Sequence, residues 1–511
     1  MKNLKIIVLV LLCIALLAAC SDNGGTGTGT DDNPAAGGNA DGSSDSEEEK
    51  DPDAPDLPQV DMGGRDFMFL TAGWGEDSDL SKDVAVEEYT GDPIYDAGYE
   101  RRLKIEQRYN INLKSVLVAG ADEAVNRYRT AISAGDGSYD AAITTCTNFS
   151  TLLIGGYLID FKDIPHIDMN KAYWNKNFYD AMSISGTNYA ADGSISKRSL
   201  ECVWIMAFNK SIIADYNFES PFELVKSGRW TYDRMHEMAR QVARDLNGDG
   251  MMTREDDMWG INYTGDTIVG IINGVGVRLA VKDSDGIPRM TVDEEINLTR
   301  LMRIFTDMRD NSYSIDTLFV SGGGVSGMGD VDIFSQNRCL FLACASHNVS
   351  ISAEQSAAAA NTQGLRDLDI DFGIIPYPKW DDAQPNYLPH TAGNYHPVLT
   401  IPQTNGELEN TGIILEALAY EGHRTIIPEF YESLLKTKTV RDEESAEMID
   451  YIFGNISYDI GTMYNFGGIL GTFGYTMSTE LRREIVSTVE RTVVQWQRAI
   501  DVIIAELENG Y

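Results

Sequence analysis

The sequence predicts an α/β fold with a largely parallel sheet, because strand-like and helix-like segments alternate from residue 66 onward. Residues 66–72 predict a strand, residues 93–109 predict a helix that begins at a proline, and residues 111–118 predict a second strand. Another helix is predicted near 122–134, followed by a strand at 139–144. In sheets of this kind, ligands bind at the carboxyl ends of the strands.

The length of 511 residues exceeds one ordinary hydrophobic core and therefore predicts two lobes or domains. A hydrophobic content of 43% is sufficient for a packed globule. The formal net charge of −37 argues against nucleic acid as a partner, because phosphate binding requires a basic face. The charge names no partner by itself, since solubility and repulsion at a crowded surface explain it equally well.

The N-terminus predicts export. Lys2 and Lys5 precede an apolar run at 6–19, which is too short for a comfortable membrane span and is typical of a signal peptide. The run ends in LAAC at 17–20, which resembles the bacterial lipobox, where the cysteine receives a diacylglyceryl thioether and becomes the mature N-terminus. Cys20 is thus the predicted lipid anchor, and two acyl chains give stable anchoring. The alternative is a plain signal peptide with an unrelated cysteine.

Residues 20–58 predict a disordered, acidic, Gly/Ser-rich tether. Between Asp31 and Asp56 there are ten acidic residues, and Lys50 is the only basic one. A segment with so little apolar surface cannot offset the entropy lost on ordering. We expect it to be a self-repelling leash that holds the folded part away from the membrane.

Four cysteines remain beyond the signal peptide and the lipid site: Cys146, Cys202, Cys339 and Cys344. They lie among apolar neighbours and show no metal-ligand spacing, which favours buried free thiols. A disulfide cannot be deduced from their spacing.

The segment 245–256 follows the spacing of a calcium-binding EF-hand loop, with oxygen donors at positions one, three and five and Gly250 at position six. The predicted metal ligands are the side chains of Asp245, Asn247, Asp249 and Asp256 and the carbonyl of Met251. The loop stands alone, whereas sensor EF-hands come in pairs. Its twelfth residue is Asp rather than Glu, as in dockerin loops, but no second copy is present. We expect a structural calcium ion; the alternative is an Asx-rich turn without an ion.

Enzyme motifs are weak. His236 and Glu237 begin like a zinc-protease motif, but the second histidine is missing. Residues 322–327 match a G-x-G-x-x-G pattern by letter, yet a poor helix start follows, so a flexible loop is expected. Two interpretations are open for His390 and His396: they either face a ligand or cap a loop. We favour the second, structural interpretation. Carboxylates are abundant, so a glycosidase pair stays open, although no two are singled out.

Several short motifs together resemble bacterial extracellular solute-binding proteins, family 1, the lipoprotein receptors of carbohydrate-type ABC importers. Each motif is loose, but their order is specific and they span nearly the whole mature chain. The segments that carry the resemblance are 139–140, 156–161, 207–210, 228–233, 371–379, 399–402 and 441–448.

The resemblance implies a two-lobe, periplasmic-binding-protein-like fold (type II-like) with a hinge and a ligand cleft between the lobes. We place crossovers near 185–200, near 339–346 and around Tyr420. The resulting division is a signal peptide at 1–19, a tether at 20–58, a first lobe at 59–190 and 347–420, and a second lobe at 191–346 and 421–511. The resemblance also implies a monomer that docks on ABC permease subunits at the extracellular face of the membrane.

A sugar has an apolar face and a rim of hydroxyls, so a sugar cleft requires flat aromatic surfaces with carboxylates and amides at their edges. The candidates at predicted strand ends and crossovers are Trp74, Glu76, Asn148, Trp204, Ser346 and Asn394. For Trp204, burial in the core and stacking on ligand are equally compatible with the sequence. Trp230 is expected in the core, and Trp174 either in the cleft or at the lobe edge.

These observations predict a membrane-anchored receptor, without catalytic residues, that binds a carbohydrate, expected to be an oligosaccharide, by lobe closure and delivers it to an ABC permease. Two alternatives stay open. One is a secreted carbohydrate-active enzyme with two cleft carboxylates, and the other is a surface adhesin stabilised by calcium. The sequence does not reveal the identity of the solute.

Overall fold

The computed structural model describes residues 51–73, 80–316, 331–350, 364–365, 369–435, 443–476 and 484–509. The predictions for Cys20, Trp74, Glu76 and the loop at 322–327 lie outside the described residues. The folded part belongs to one compact unit, Asp53–Tyr511. Within the described residues, no helix is long and apolar enough to cross a membrane.

The described strands form two main sheets and one hairpin. They are β1 Arg65–Gly73, β2 Ile111–Ala119, β3 Ala141–Thr145, β4 Trp204–Asn209, β5 Trp259–Tyr263, β6 Ala280–Lys282, β7 Pro288–Met290, β8 Ser314–Asp316, β9 Cys339–Ala345, β10 Phe372–Ile375 and β11 Pro397–Thr400.

The described α-helices surround these sheets. They are α1 Pro93–Tyr109, α2 Gly120–Ser133, α3 Phe149–Ile154, α4 Lys176–Met182, α5 Arg198–Glu201, α6 Lys210–Asp215, α7 Pro221–Lys226, α8 Tyr232–Val242, α9 Gly265–Gly274, α10 Glu295–Asp307, α11 Val331–Ser335, α12 His347–Ser350, α13 Leu408–Arg424, α14 Ile426–Leu435, α15 Glu443–Gly454, α16 Ile460–Tyr464, α17 Ile469–Gly471 and α18 Ile485–Asn509.

The first sheet has the strand order β11-β3-β1-β2. Strand β1 pairs in parallel with β2 and with β3, whereas β11 is antiparallel to β3. The predicted order of strand, helix, strand, helix and strand is confirmed, because parallel neighbours require a crossover helix between them. Helices α1 and α2 provide these crossovers.

The second sheet has the order β10-β4-β9-β5-β8. Strand β4 lies antiparallel to both β10 and β9, while β5 is parallel to β9 and β8. Every residue of β4, β5 and β9 is buried. This burial explains the continuous apolar runs of these strands, which are covered on both faces.

Local signals fix the helix ends that the sequence predicts. The Asp92 carboxylate accepts the N–H of Ile94 at 2.9 Å, and Pro93 occupies the first helical position of α1. Asn110 ends that helix in a left-handed conformation, with φ of 49°. Thr231 caps α8 by accepting the N–H of Arg234 at 3.3 Å.

Two further helices each bury an apolar face. In α8 the buried face carries Met235, Met238, Ala239 and Val242. In α18, Ile485, Val489, Trp496 and Ile500 are buried, and Val493 is half-buried against the same core. The stability of both helices therefore comes largely from this tertiary packing.

Ordered structure begins earlier than the predicted end of the tether at residue 58. Leu57 is buried in the core of the first sheet, and Ala54 packs against the same core. The short apolar stretch around Leu57 removes enough surface from water to hold this part of the tether on the protein.

Two predicted lobe boundaries require correction. Residues 339–345 are not a crossover but the central strand β9 of the second sheet, paired with β4 and β5. Strand β10, which falls in the segment 347–420 assigned to the first lobe, pairs with β4. The chain thus returns to the first sheet between residues 376 and 396. Tyr420 lies within helix α13 rather than at a crossover.

Cys146, Cys202, Cys339 and Cys344 are all free and buried, as predicted. Burial raises the pKa of Cys202 and of Cys344 to about 12. These thiols are therefore protonated at neutral pH and have little nucleophilic character.

Candidate ligand cleft between the two sheets

The carboxyl end of β3 supplies one wall of the candidate cleft. Thr145 pairs with Pro397, so the chain entering β11 lies at the same edge as the chain leaving β3. Just beyond these two ends, the Thr147 hydroxyl donates to the carbonyl of Asn394 at 2.9 Å. This hydrogen bond joins the two loops at the edge of the first sheet.

The second sheet supplies the opposite wall. Trp204 is the first residue of β4 and pairs with Ala345, the last residue of β9. Because β4 is antiparallel to β9, its amino end lies at the edge where β9 and β5 have their carboxyl ends. Asp266 follows the carboxyl end of β5 as the second residue of α9. Trp204 and Asp266 therefore lie at one edge of the second sheet.

These two edges enclose a cavity of about 220 Å³. Small residues, including Gly393, Gly468 and Gly471, form part of its lining and leave the space open. The larger lining side chains are Thr147, Trp204, Asp266, Val269, Asn394 and Asn465.

Trp204 is almost completely enclosed, with an exposed fraction of 2%. Its backbone N–H donates to the carbonyl of His390 at 2.8 Å. Its side-chain Nε1 is buried and has no hydrogen-bond partner among the described residues. Of the two alternatives for Trp204, the low exposure favours core packing over an open stacking surface.

Asp266 brings a buried carboxylate to the cavity, with an exposed fraction of 5%. The helix start that positions it is fixed by Thr264 and Thr267, since the Thr264 N–H donates to the Thr267 hydroxyl at 2.9 Å. A carboxylate in the first turn of a helix interacts favourably with the helix dipole.

Asn465 reaches the cavity through a strained turn. Its backbone is left-handed, with φ of 48°, and its side-chain Oδ1 accepts the N–H of Leu470 at 2.9 Å. Gly467 and Gly468 follow with positive φ. An asparagine tolerates this conformation better than most residues because its short side chain bonds locally.

The structure brings together two of the six residues predicted to bind ligand, Trp204 and Asn394. Asn148 is not part of the lining, because its amide donates to the Asp122 carboxylate at 2.6 Å. Ser346 is buried, and its hydroxyl donates to the carbonyl of Leu200. Ligand binding by any of these residues stays a prediction.

The sequence analysis did not identify Thr147, Asp266 or Asn465. A local signal existed for Asp266, since it opens a helix directly after an apolar strand. Thr147 lies one residue from the candidate Asn148. Asn465 had no such signal, because its position depends on distant elements that meet only in the fold.

Beside the cleft, a buried ion network occupies the segment that leads into β4. The Glu201 carboxylate pairs with Lys197 and with Arg198, the latter at 3.3 Å. Burial alone would raise the pKa of Glu201, but the two cations outweigh it and lower that pKa to about 2. The Ser196 hydroxyl donates to the carboxylate of Asp83. This hydrogen bond connects the segment that leads into β4 with the segment between β1 and α1.

The predicted calcium loop is ordered by its own side chains. The Asp245 carboxylate accepts the N–H of Gly248 at 2.6 Å and of Gly250 at 2.7 Å, and Asp249 accepts from Met251 at 2.8 Å. Both glycines have positive φ, so the chain turns where the spacing requires it. No cluster of three His, Cys, Asp or Glu side chains in the described residues is arranged to hold a metal. Oxygen donors of this kind suit Ca²⁺ chemically, and each carboxylate oxygen retains a second lone pair.

Asp257, the neighbour of the predicted twelfth-position ligand Asp256, orders the end of the loop. The Asp257 carboxylate accepts the N–H groups of Leu246 and Thr253, at 2.9 and 2.6 Å. Asp257 is fully buried, and although burial opposes ionisation, these hydrogen bonds lower the pKa of its carboxyl.

The histidines singled out in the sequence have structural partners. His236 Nδ1 is 3.0 Å from the Tyr313 hydroxyl, and burial lowers the pKa of His236 to about 3. His390 Nδ1 is 2.7 Å from the carbonyl of Ser457. His396 Nδ1 is 3.0 Å from the Thr391 hydroxyl. None of the three is among the residues that line the cavity.

Comparisons with known proteins find similarity in structure alone. No family model matches the sequence, and no curated protein matches it. Among solved structures, the ABC substrate-binding protein Lmo0181 from Listeria monocytogenes, in complex with cycloalternan, has a TM-score of 0.50 and 12% identity, covering 87% of this chain and 99% of that chain. UspC from M. tuberculosis has a TM-score of 0.51 and 14% identity, covering 85% of this chain and 100% of its own. The Thermus thermophilus maltotriose binding protein, bound with maltotriose, has a TM-score of 0.49 and 14% identity, with coverages of 85% and 100%.

At 12–14% identity these likenesses concern the fold. They extend over nearly the whole length of the neighbours. The chain therefore has the α/β fold of an ABC substrate-binding protein, which confirms the fold class that the sequence and its family resemblance predict.

Proposed function

We propose that this protein is a solute receptor that binds a carbohydrate in the cleft between its two sheets and delivers it to an ABC permease. The observation that supports this proposal most is the cavity at the facing edges of the two sheets, in the fold of an ABC substrate-binding protein. Thr147 and Asn394 line it from the first sheet, and Trp204 and Asp266 from the second.

The chemistry of the lining suits a sugar. Carboxylate, amide and hydroxyl groups can each pair with a sugar hydroxyl, and Val269 and Leu470 offer apolar surface for the ring. The structural neighbour from Listeria monocytogenes was solved with cycloalternan. Both observations favour a carbohydrate over other solutes.

The placement of the walls supports binding by closure. A ligand that contacts both walls gains its full set of contacts only when the lobes are closed, so binding shifts the population toward the closed state. Hinge closure of this kind is a known switching mode of periplasmic binding proteins. We propose that, after closure, the receptor acts as a monomer and delivers the bound sugar to the permease subunits.

The anchoring proposal rests on the sequence. The basic start, the short apolar run and LAAC at 17–20 favour a signal peptide and a lipid on Cys20, which would hold the receptor at the extracellular face of the membrane. Cells that express Cys20→Ala should release the protein into the medium, whereas the unaltered protein should fractionate with membranes.

A structural calcium ion in the loop at 245–256 is part of the proposal. The donor spacing supports it, as does a backbone that turns at Gly248 and Gly250. When bound, the ion would link Asp245, Asn247, Asp249, Asp256 and the Met251 carbonyl and restrain the loop.

The rival function is a carbohydrate-active enzyme. Glycoside hydrolysis uses a pair of carboxyl groups about 5–10 Å apart. In the described part of the chain, Asp266 is the single carboxylate that lines the cavity. This observation favours a receptor.

The function is tested by thermal shift and small-angle scattering of the purified protein with a panel of neutral oligosaccharides. We expect one or more sugars to raise the melting temperature and to reduce the radius of gyration. Gly471→Leu should abolish both effects, because Gly471 lines the cavity and no atom of the described residues lies within 4 Å of a β-carbon built there. Gly454→Leu is the matched control, with equally open space outside the cavity. Absence of any response to the panel would contradict the proposal.

A further inference from the structure

A second cavity, of about 340 Å³, lies where the chain passes from the first sheet to the second. Its volume is typical of small-molecule sites. Ala191 bridges to Leu399 of β11 in the first sheet, and Leu200 packs against the core of the second sheet. The residues at 192–194 and 199–200, which belong to this passage, line the cavity, and we call it the junction cavity. It shares no lining residue with the cleft cavity.

The walls of the junction cavity belong to two different cores. Trp174 lies in the core of the first sheet, whereas Tyr431 of α14, Phe453 of α15 and Ile456 pack against the core of the second sheet. The rings of Tyr431 and Phe453 meet edge to face, with centroids 5.4 Å apart and planes at 83°. Both residues are only half-buried, so the cavity contains an aromatic corner that a ligand can contact.

Asp192 brings a carboxylate to this cavity, although only 3% of its side chain is exposed. Asn175 holds it in place, because the Asn175 backbone N–H donates to the Asp192 carbonyl at 2.9 Å and the Asn175 amide donates to Asp192 Oδ2 at 2.8 Å. His396 Nε2 lies 3.5 Å from the same Oδ2. No donor among the described residues contacts the other oxygen, Oδ1. A buried carboxylate oxygen requires a donor, and a molecule in the cavity can supply one.

The charges of the lining select the class of that molecule. Asp192 is the only carboxylate among the lining residues, and the one lysine of the lining, Lys176, is exposed and contacts both oxygens of Asp180 at 2.9 Å. A protonated amine can donate to Asp192 while its apolar part lies against the rings of Tyr431 and Phe453. An anion would meet a like charge at low dielectric, and the formal charge of −37 adds to that repulsion.

We propose that the junction cavity is a second ligand site, which binds a small organic cation. Its ammonium group donates to Asp192 Oδ1, and its apolar part contacts Tyr431 and Phe453. Neutral and acidic molecules of the same shape bind weakly, because they cannot form a charge-assisted hydrogen bond with this carboxylate. The site lies outside the cleft, so it goes beyond sugar binding and does not depend on it.

The test is calorimetric titration of the purified protein with benzylamine, whose ammonium group and aromatic ring match the two halves of the site. Physiological ionic strength screens unspecific attraction to the acidic surface. Benzyl alcohol is the neutral counterpart of similar shape, and benzoate is the anionic one. We expect saturable binding of benzylamine at one site and at least about tenfold weaker binding of the other two, in line with one lost hydrogen bond to a charged group.

Two variants locate the site. Asp192→Asn should weaken benzylamine binding at least about tenfold and leave binding of benzyl alcohol unchanged. Because Asp192 also contacts Asn175, a second variant acts at the mouth of the cavity. Asn177 lines the cavity and is exposed, so Asn177→Trp should fold normally and obstruct the entrance. Asn126→Trp is the matched control, since Asn126 is an exposed helical asparagine that does not line this cavity.

Each other outcome overturns the proposal. Equal affinity for benzylamine and benzyl alcohol, or unchanged affinity in Asp192→Asn, overturns the role of the carboxylate. Unchanged affinity in Asn177→Trp overturns the location. If benzylamine does not bind to the wild type at millimolar concentration, the cavity holds only solvent and is not a ligand site. None of these results bears on the sugar receptor function, which the titrations with oligosaccharides test separately.

Discussion

The indole of Trp204 and the backbone of Gly270 are in direct contact, although 66 residues separate them in the chain. A β-carbon on Gly270 would lie 2.6 Å from Trp204 Cδ1, closer than two such atoms can approach. The same position faces Tyr377. The absence of a side chain at residue 270 therefore allows α9 to lie against the start of β4 and sets the shape of the cleft wall.

The first prediction concerns this contact. Gly270→Ala should lower the free energy of unfolding by about 1–3 kcal/mol, because overpacking outweighs the gain in helix propensity. It should also weaken sugar binding, since Trp204 must shift. Urea unfolding and calorimetry measure the two effects.

Gly454→Ala provides the control for this prediction. Within the described part of the chain, nothing lies within 4 Å of a β-carbon built on Gly454, so we expect the free energy of unfolding to change by less than about 0.5 kcal/mol. Unchanged stability and affinity in Gly270→Ala would show that the Trp204 contact does not shape the cleft.

The second prediction concerns the buried ion network at Glu201. Glu201→Gln removes the carboxylate that pairs with the buried Lys197 and Arg198 and should cost about 3–5 kcal/mol at pH 7. The exposed pair of Arg234 and Glu237, at 2.7 Å, is the control, and Glu237→Gln should cost less than about 1 kcal/mol.

The pH dependence of this difference has a defined sign. The pKa of Glu201 is about 2 in the folded protein, below its ordinary value of 4.5, so the stabilising effect is complete above pH 4.5. It is lost as the pH falls from 4.5 toward 2. The difference in unfolding free energy between wild type and Glu201→Gln should therefore be largest near neutral pH and shrink in acid. A difference that is constant from pH 7 to pH 3 would contradict the pairing.

The third prediction concerns calcium. At a Ca²⁺ concentration about a hundredfold above the dissociation constant, the free energy of unfolding should rise by about 2–3 kcal/mol. Asp245→Asn should remove most of this gain, because Asp245 is the first predicted ligand. Urea unfolding of the wild type and of Asp245→Asn, each with Ca²⁺ and with a chelator, measures this calcium-dependent gain in the free energy of unfolding.

Asp283→Asn is the control for the calcium loop. The Asp283 carboxylate also orders a turn, by accepting the N–H groups of Asp285 and Ile287 at 2.9 Å. It lies outside the predicted site, so the calcium response should be retained. If millimolar Ca²⁺ changes nothing in wild type, the segment 245–256 is an Asx-rich turn without an ion.

The elements of the first sheet are predictable because their signals are local. Asp92 and Pro93 mark the start of α1, Asn110 marks its end, and apolar periodicity gives the strands on either side. Strand pairing across the second sheet is not local. The apolar run Cys339–Ala345 is compatible with a buried crossover or with a central strand, and its partner β4 lies more than 130 residues earlier in the chain.

The residues of the site also divide into those with a local signal in the sequence and those placed by contacts between distant segments. Trp204 and Asn394 could be predicted as strand-end residues, whereas the contact of Trp204 with Gly270 depends on how a helix packs onto a strand. Asp266 becomes part of the cleft only because β5 and β9 are parallel neighbours and β4 reverses direction beside them. No sequence period encodes that arrangement.

The central claim is that the cleft binds a sugar and returns it unchanged. The most direct measurement is calorimetric titration of the purified protein with neutral oligosaccharides, followed by chromatography of the recovered sugar. We expect saturable binding at one site, with a dissociation constant in the micromolar range or below, and an intact sugar. The absence of binding, or recovery of a cleaved sugar, would contradict the claim.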